Sequence, residues 1–155
     1  MLHALADAAT VIPVLYVAAV TPGLVRVDLR EHRLPNRMVV PGLVVGLVAA
    51  ILQWSLVPVI AGIAFGGFLW VLGVRGGIGM GDVKLAALLG LASPTIGIAA
   101  ATPLVAFLLG GVAASIVLIR RGRGSRIAFG LFLLAGYWIA VVSTLLGSGI
   151  TAGAP

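Results

Sequence analysis

Apolar residues occur along this chain in long continuous runs that are separated by short polar segments. The runs cover about residues 9–27, 38–54, 56–74, 83–93, 96–119 and 127–147. Strands of a membrane barrel would alternate apolar and polar positions, whereas continuous apolar runs predict helices. We therefore expect six helices joined by five short connections.

The fourth run is too short to be a membrane-crossing helix by itself, because such a helix needs ~17–25 residues. Runs four and five together offer 37 residues from Val83 to Ile119, which is enough for two crossings with a turn between them. A turn near Ser93-Pro94 suits this division, since proline interrupts a helix. A boundary nearer Thr102-Pro103 is the alternative.

The composition places this chain in a membrane. Hydrophobic residues make up 61% of the 155 positions, charged residues 9%, and the mean hydropathy is +1.24. A soluble domain of this length would not carry so few charges. In lipid, backbone groups must be satisfied within the protein, which again favours helices. We expect residues 1–155 to form a single bundle, whose 22 glycines allow close helix contacts.

All ten Lys and Arg residues lie in alternate connections between the runs. They are Arg26, Arg30, Arg33 and Arg37 in the first connection, Arg75 and Lys84 in the third, and Arg120, Arg121, Arg123 and Arg126 in the fifth. Basic residues concentrate in cytoplasmic loops, so this distribution predicts six transmembrane helices with both termini outside the cytoplasm. The fold class is therefore an all-α, multi-pass protein of the cytoplasmic membrane. The net charge of +6 follows from these loops and does not indicate a nucleic-acid partner.

Several kinds of catalytic and metal site do not fit this sequence. The chain has no cysteine, which excludes disulfides, CxxC zinc sites and a thiol nucleophile. Ser93, Ser125 and Ser143 lack both a GxSxG context and a nearby histidine base. His3 and His32 are predicted on opposite sides of the membrane, so no metal site is expected.

Two aspartates stand out among only four acidic residues. Asp28 follows the first apolar run, and Asp82 immediately precedes the fourth. Although they are 54 positions apart, the predicted topology puts both at the cytoplasmic face. Paired carboxylates are the equipment of an aspartic protease, in which they share a proton and activate water. Glu31 competes with Asp28 for this role, but we expect it to lie further out in the connection.

The segments around each aspartate allow simpler interpretations as well. Three alternating glycines, Gly77, Gly79 and Gly81, precede Asp82, and glycine permits unusual backbone angles and close approach of a peptide. If the glycines leave room for a peptide, Asp82 faces a cavity. In the simpler interpretation the glycines form an ordinary loop and Asp82 caps the next helix. Asp28 is followed by Leu34-Pro35-Asn36, which is typical of a turn that returns the chain to the membrane.

These residues together resemble the bacterial type IV prepilin peptidases, also called type IV leader peptidases. The resemblance rests on Asp28 before Leu34-Pro35-Asn36, and on Gly79-Met80-Gly81-Asp82-Val83-Lys84-Leu85, which matches the family's Gly-x-Gly-Asp motif running into Val-Lys-Leu. A third family element, Ile-Pro-Phe-Gly-Pro, is represented by Ile127-Ala128-Phe129-Gly130-Leu131, with both prolines replaced. The match extends from about residue 10 to 145.

The resemblance implies a membrane aspartic endopeptidase with Asp28 and Asp82 as catalytic residues and no metal or organic cofactor. The implied substrate is a prepilin or pseudopilin, cleaved at the cytoplasmic face between a polar leader and a hydrophobic helix, as in type IV pilus and protein secretion systems. Gly79, Gly81, Pro35 and Asn36 would shape the site, and Lys84 would pair with an acid of the substrate or a lipid phosphate. The roles of acid and base stay unassigned between the two aspartates.

Longer family members carry an N-terminal segment with paired CxxC motifs that is associated with methylation. We expect this cysteine-free chain to be a peptidase without methyltransferase activity, like the short forms of Flp/Tad-type systems. A competing hypothesis is a transporter subunit or assembly scaffold, whose two aspartates bind a cation or a partner. The sequence does not assign an oligomeric state.

Overall fold

The computed structural model describes residues 2–31, 33–74, 78–121 and 128–152, and within these ranges every regular element is an α-helix. The six helices are α1 (Leu2–Glu31), α2 (Asn36–Leu52), α3 (Val57–Val74), α4 (Met80–Leu91), α5 (Ile96–Arg121) and α6 (Phe129–Ala152). The predicted all-α class and the order of six helices are confirmed.

Four helices are long and apolar enough to cross a membrane, judged by length and composition. These spans are Ala8–Glu31, Val57–Val74, Ile96–Arg120 and Phe129–Gly147. Helix α2 has 17 residues, at the lower limit of ~17–25 for a crossing. Helix α4 has 12 residues and therefore extends about 18 Å, well short of a hydrocarbon core of about 30 Å. Six complete crossings and the orientation of the termini remain predictions.

The turn between α4 and α5 lies where Ser93-Pro94 predicted it. Helix α4 ends at Leu91 and α5 begins at Ile96, and the buried Ser93 hydroxyl donates to the carbonyl of Leu89 at 2.8 Å. The alternative boundary at Thr102-Pro103 is wrong, because Pro103 lies inside α5. Prolines are tolerated in membrane helices. The preceding Thr102 is buried and donates its hydroxyl to the carbonyl of Ile98, one helical turn earlier, at 2.7 Å.

The short helix α4 lies at the centre of the bundle. It packs against α2, α3, α5 and α6, and its Leu85, Leu88 and Leu89 are fully buried. The outer faces of the longer helices carry the opposite pattern: Ile63 on α3 and Leu104 on α5 are 70% and 71% exposed. Exposed aliphatic side chains of this kind suit contact with lipid, so α4 is enclosed by helices that themselves meet the membrane.

Small residues set the distance between helices at two crossings. A Cβ on Gly90 would lie 2.6 Å from backbone atoms of Ala61 and Gly62, where α4 crosses α3. A Cβ on Gly136 would lie 2.7 Å from the backbone of Ala106, where α6 crosses α5. Close backbone approach is the usual function of small residues in membrane bundles, and here it fixes α4 and α6, which both contribute to the site described next.

Candidate functional site

Asp28 lies in the last turn of α1 and is almost completely buried, with 3% of its surface exposed. Its Oδ2 atom accepts a hydrogen bond from the backbone N–H of Leu131, at an N···O distance of 3.0 Å. Leu131 belongs to the first turn of α6, so two helices that are remote in sequence meet at this carboxyl group. Asp28 therefore lies at the end of α1, as predicted, and its side chain is buried within the bundle.

Asp82 lies in the first turn of α4 and is half-buried. The N-cap of this helix is Gly79, in an extended conformation with φ −75° and ψ 149°. The prediction that Asp82 opens the helix is confirmed, whereas the alternative that Asp82 is its N-cap residue is wrong. Its carboxyl group instead accepts a hydrogen bond from the backbone of Gly79, as an acidic residue at the third helical position does in a capping box.

Both carboxyl groups line one polar cavity of about 380 Å³ at the ends of α1 and α4. Four other predicted site residues also line it, namely Asn36, Gly79, Gly81 and Lys84. Three lining residues were not predicted for the site, namely Arg33, Leu34 and Met80. The lining residues are Asp28, Arg33, Leu34, Asn36, Gly79, Met80, Gly81, Asp82 and Lys84. Pro35 is not among them; it precedes α2 as its N-cap residue.

Gly81 lies at a close contact between α4 and the α1–α2 connection. A Cβ at this position would lie 3.0 Å from Cβ of Leu34 and 3.3 Å from its backbone nitrogen. Gly79 differs, since an added Cβ would reach only an ordinary contact of 3.7 Å with Asp82. Neither glycine has a left-handed backbone, so the predicted unusual angles are wrong at these two positions, and Gly77 lies outside the described residues. The close approach of α4 to Leu34 therefore explains why position 81 is a glycine.

Lys84 connects the two sides of the cavity. Its Nζ atom donates a hydrogen bond to Oδ1 of Asn36 at 3.1 Å, joining the second turn of α4 to the first residue of α2. Arg33 also lines the cavity, although the residue is exposed. The sequence interpretation of Arg33 as a topology residue therefore missed its position beside the two aspartates, and His32 lies outside the described residues.

Comparison with protein families gives a match that includes both aspartates. The model of the type IV leader peptidase family matches residues 9–119, more than half of the chain. The chain belongs to the type IV leader peptidase family. Comparisons with curated proteins and with solved structures gave no significant match. The family match ends before α6, so the contribution of that helix to the aspartate site rests on the structure.

The first turn of α6 is the part of the site that sequence reasoning missed. A Cβ on Gly130 would lie 2.8 Å from Oδ2 of Asp28 and 3.2 Å from Cδ1 of Leu34. Only a glycine allows α6 to approach Asp28 this closely. The sequence indicates this segment only through the family element that includes Ala128-Phe129-Gly130-Leu131, and that element gives no sign of a contact with Asp28. Ile127 lies outside the described residues.

The charge of Asp28 acts electrostatically on Asp82. Asp82 lies outside the four candidate spans. Burial, together with the negative charge of Asp28, raises the pKa of Asp82 from 3.8 to about 6, against an opposing hydrogen bond from the backbone of Gly79. Neighbouring carboxylates disfavour double ionisation. The cavity is therefore suited to hold one proton between two acids.

Other polar candidates lie away from this cavity or outside the described residues. Glu31, the competitor of Asp28, is exposed at the end of α1. Ser143 donates its hydroxyl to the carbonyl of Ala140 within α6, and Ser125 lies outside the described residues. A second cavity of about 570 Å³ lies between α3 and α5, and its described lining is entirely apolar. Glu31, Ser143 and the second cavity therefore add no chemistry to the aspartate site.

Proposed function

We propose that this leader peptidase is an aspartic endopeptidase that removes the leader from type IV prepilins or pseudopilins, of the kind found in Flp/Tad-type systems. The observation that carries the proposal is the shared cavity of Asp28 and Asp82. The two residues are 54 positions apart in the sequence, yet α1 and α4 bring them to one site. Paired carboxylates with one proton between them are the chemical requirement for activating water against a peptide bond.

The hydrolysis uses the two carboxyl groups in different protonation states. The ionised aspartate takes a proton from water as the oxygen attacks the scissile carbonyl carbon. The protonated aspartate donates a hydrogen bond to the carbonyl oxygen and stabilises the negative charge that develops there. Collapse of the tetrahedral intermediate breaks the C–N bond, and the leaving amine receives a proton from the dyad. The pair titrates as a coupled unit throughout.

The surroundings of the dyad suit an extended peptide at the membrane interface. The cavity lies at the C-terminal end of α1 and the N-terminal end of α4, and the distribution of basic residues predicts that these ends face the cytoplasm. Gly79, Gly81 and Asn36 provide a lining without bulky side chains, and Pro35 sets the start of α2. Lys84 and Arg33 provide positive charge for an acidic side chain of the substrate or a lipid phosphate.

A cleavage assay in cells tests the enzyme and its site together. The chain is co-expressed with a prepilin from the same genome, and loss of the leader is followed as a gel shift for wild type, Asp28→Ala and Asp82→Ala. Glu31→Ala is the matched control, because Glu31 is an exposed acid only three positions from Asp28. We expect cleavage by wild type and Glu31→Ala, and none by either aspartate variant.

Two results would contradict the proposal. Cleavage by Asp28→Ala or Asp82→Ala would remove that residue from the dyad. No cleavage by wild type, with insertion verified and several prepilins and pseudopilins tried, would refute peptidase activity and leave a transporter subunit or assembly scaffold as the explanation.

We further propose six crossings with both termini outside the cytoplasm. The absence of cysteine in the sequence makes single-cysteine labelling possible without a background. Trp54→Cys lies in the α2–α3 connection, where Trp54 is 97% exposed, and should react with an impermeant maleimide in intact cells. Arg37→Cys, exposed at the start of α2, should react only after the membrane is permeabilised. The reverse pattern would contradict the orientation.

A further inference from the structure

The position of Asp28 is unfavourable for a negative charge unless another group stabilises it. Asp28 lies in the last turn of α1, where the dipole of its own helix repels an anion. It is also 3% exposed, and a carboxylate that is buried without partners is strongly disfavoured relative to one in water. A buried, ionised Asp28 therefore requires donors from elsewhere in the fold.

Helix α6 supplies such a donor from its N-terminal turn. The backbone N–H of Leu131 is one of the first-turn amides that have no partner within their own helix, and it donates to Oδ2 of Asp28 at 3.0 Å. The adjacent Gly130 permits this contact, because any larger residue would place its Cβ 2.8 Å from the same oxygen. A hydrogen bond to the charged form of a carboxyl group favours that form.

We propose that the first turn of α6 holds Asp28 as the carboxylate that takes the proton from water, with Leu131 as a positioning residue, and leaves Asp82 as the protonated acid. The inference rests on the proposed peptidase function and adds the assignment of the two roles. It also gives a function to the segment around Gly130, which lies outside the family match.

Among the described residues that line the cavity, the other charged groups come from two elements. Helix α4 contributes Asp82 and Lys84, and the α1–α2 connection contributes Arg33. The described part of the first turn of α6, residues 128–132, contains no titratable side chain. Burial and a negative charge on Asp28 both raise the pKa of Asp82, to about 6, against an opposing hydrogen bond from the backbone of Gly79. An ionised Asp28 therefore makes ionisation of Asp82 harder.

Proline at position 131 tests the hydrogen bond without removing the helix. Leu131→Pro deletes the N–H, and proline is tolerated in the first turn because those amides lack helical partners. The preceding residue is glycine, which is the residue least restricted by a following proline. Leu131→Ala is the matched control, since it removes the same leucine side chain but keeps the N–H.

The readout is the protonation of each carboxyl group, measured by NMR in micelles on protein with ¹³C-carboxyl-labelled aspartate. The sequence has only three aspartates, Asp7, Asp28 and Asp82, so Asp28→Asn and Asp82→Asn assign the signals. We expect Asp28 in wild type to ionise at a lower pH than Asp82. Leu131→Pro should shift the ionisation of Asp28 to higher pH, and Leu131→Ala should leave it in place.

Cleavage activity is measured in parallel so that the two proposals fail separately. If Leu131 acts as proposed, the acidic limb of the pH–rate profile moves to higher pH in Leu131→Pro and not in Leu131→Ala. Ionisation of Asp82 before Asp28 in wild type would overturn the assignment even if Leu131→Pro does not fold. Identical titrations of the two Leu131 variants would overturn the role of α6, whereas an inactive wild type would count against the peptidase itself.

Discussion

The crossing of α3 and α4 at Gly90 gives the most quantitative prediction about this bundle. Replacement of Gly90 by alanine puts a Cβ 2.6 Å from three backbone atoms, namely C and O of Ala61 and Cα of Gly62. An ordinary contact would be 3.4–4 Å. Backbone atoms cannot move aside as a flexible side chain can, so the two helices must separate by about 1 Å to restore normal contact distances.

The size of the effect follows from this displacement. Overpacking of a well-packed core destabilises a protein by about 1–3 kcal/mol, which exceeds the ~1 kcal/mol that alanine gains over glycine in helix propensity. Gly90 and Asp82 lie on the same short helix, about 12 Å apart along its axis. A displaced α4 therefore moves Asp82 relative to Asp28, and a misplacement of about 1 Å in an active site reduces the rate by about 100-fold.

The assay compares Gly90→Ala with Gly67→Ala in thermal unfolding of detergent-purified protein and in prepilin cleavage. Gly67 is the matched control, because it is an exposed glycine of α3 with nothing within 4 Å of an added Cβ. We expect Gly90→Ala to be destabilised and nearly inactive, and Gly67→Ala to be at least as stable as wild type with unchanged cleavage. A Gly90→Ala protein as stable as Gly67→Ala would refute the close crossing.

Three further predictions concern the site and the loop on the opposite side. Cleavage should fall as the pH rises through about 6, because the raised pKa of Asp82 leaves the acid protonated only below that value; a pH–rate profile flat from about 5 to 8 would contradict this. Gly130→Ala should lower cleavage at least ~10-fold, since its Cβ would lie 2.8 Å from Oδ2 of Asp28, whereas Gly111→Ala, with nothing within 4 Å, should not. Trp54 has a left-handed backbone with φ 51°, so Trp54→Gly should unfold at a higher temperature than Trp54→Ala by the equivalent of about 1–2 kcal/mol; equal melting temperatures would show that no strain is relieved.

Trp54 also shows why some local features escape a sequence pattern. The N–H of Trp54 bonds to the carbonyl of Ile51, and that of Ser55 bonds to the carbonyl of Ala50. This is the hydrogen-bond arrangement that ends many helices, and glycine usually occupies the left-handed position. Because tryptophan is there instead, the sequence gives no sign of the motif, and only the coordinates of the α2–α3 connection identify it.

The amino-acid sequence by itself determined the features that depend on local composition. Continuous apolar runs required helices because lipid offers the backbone no hydrogen-bond partners, and a proline in the turn divided α4 from α5 where expected. The pairing of Asp28 with Asp82 was also predicted. Ionisable residues beside hydrocarbon are energetically costly and rare, so each one is a candidate functional residue.

Only the tertiary structure decided how the two aspartates differ. The N–H of Leu131 that reaches Asp28 is a backbone group, and every residue except proline has one, so no residue pattern marks it as a donor. The partners are 103 positions apart, and their contact depends on the approach of α6 at Gly130 and on helix crossings elsewhere in the bundle. Sequence composition identifies which residues carry charge, but the distances that distinguish two like charges arise from packing.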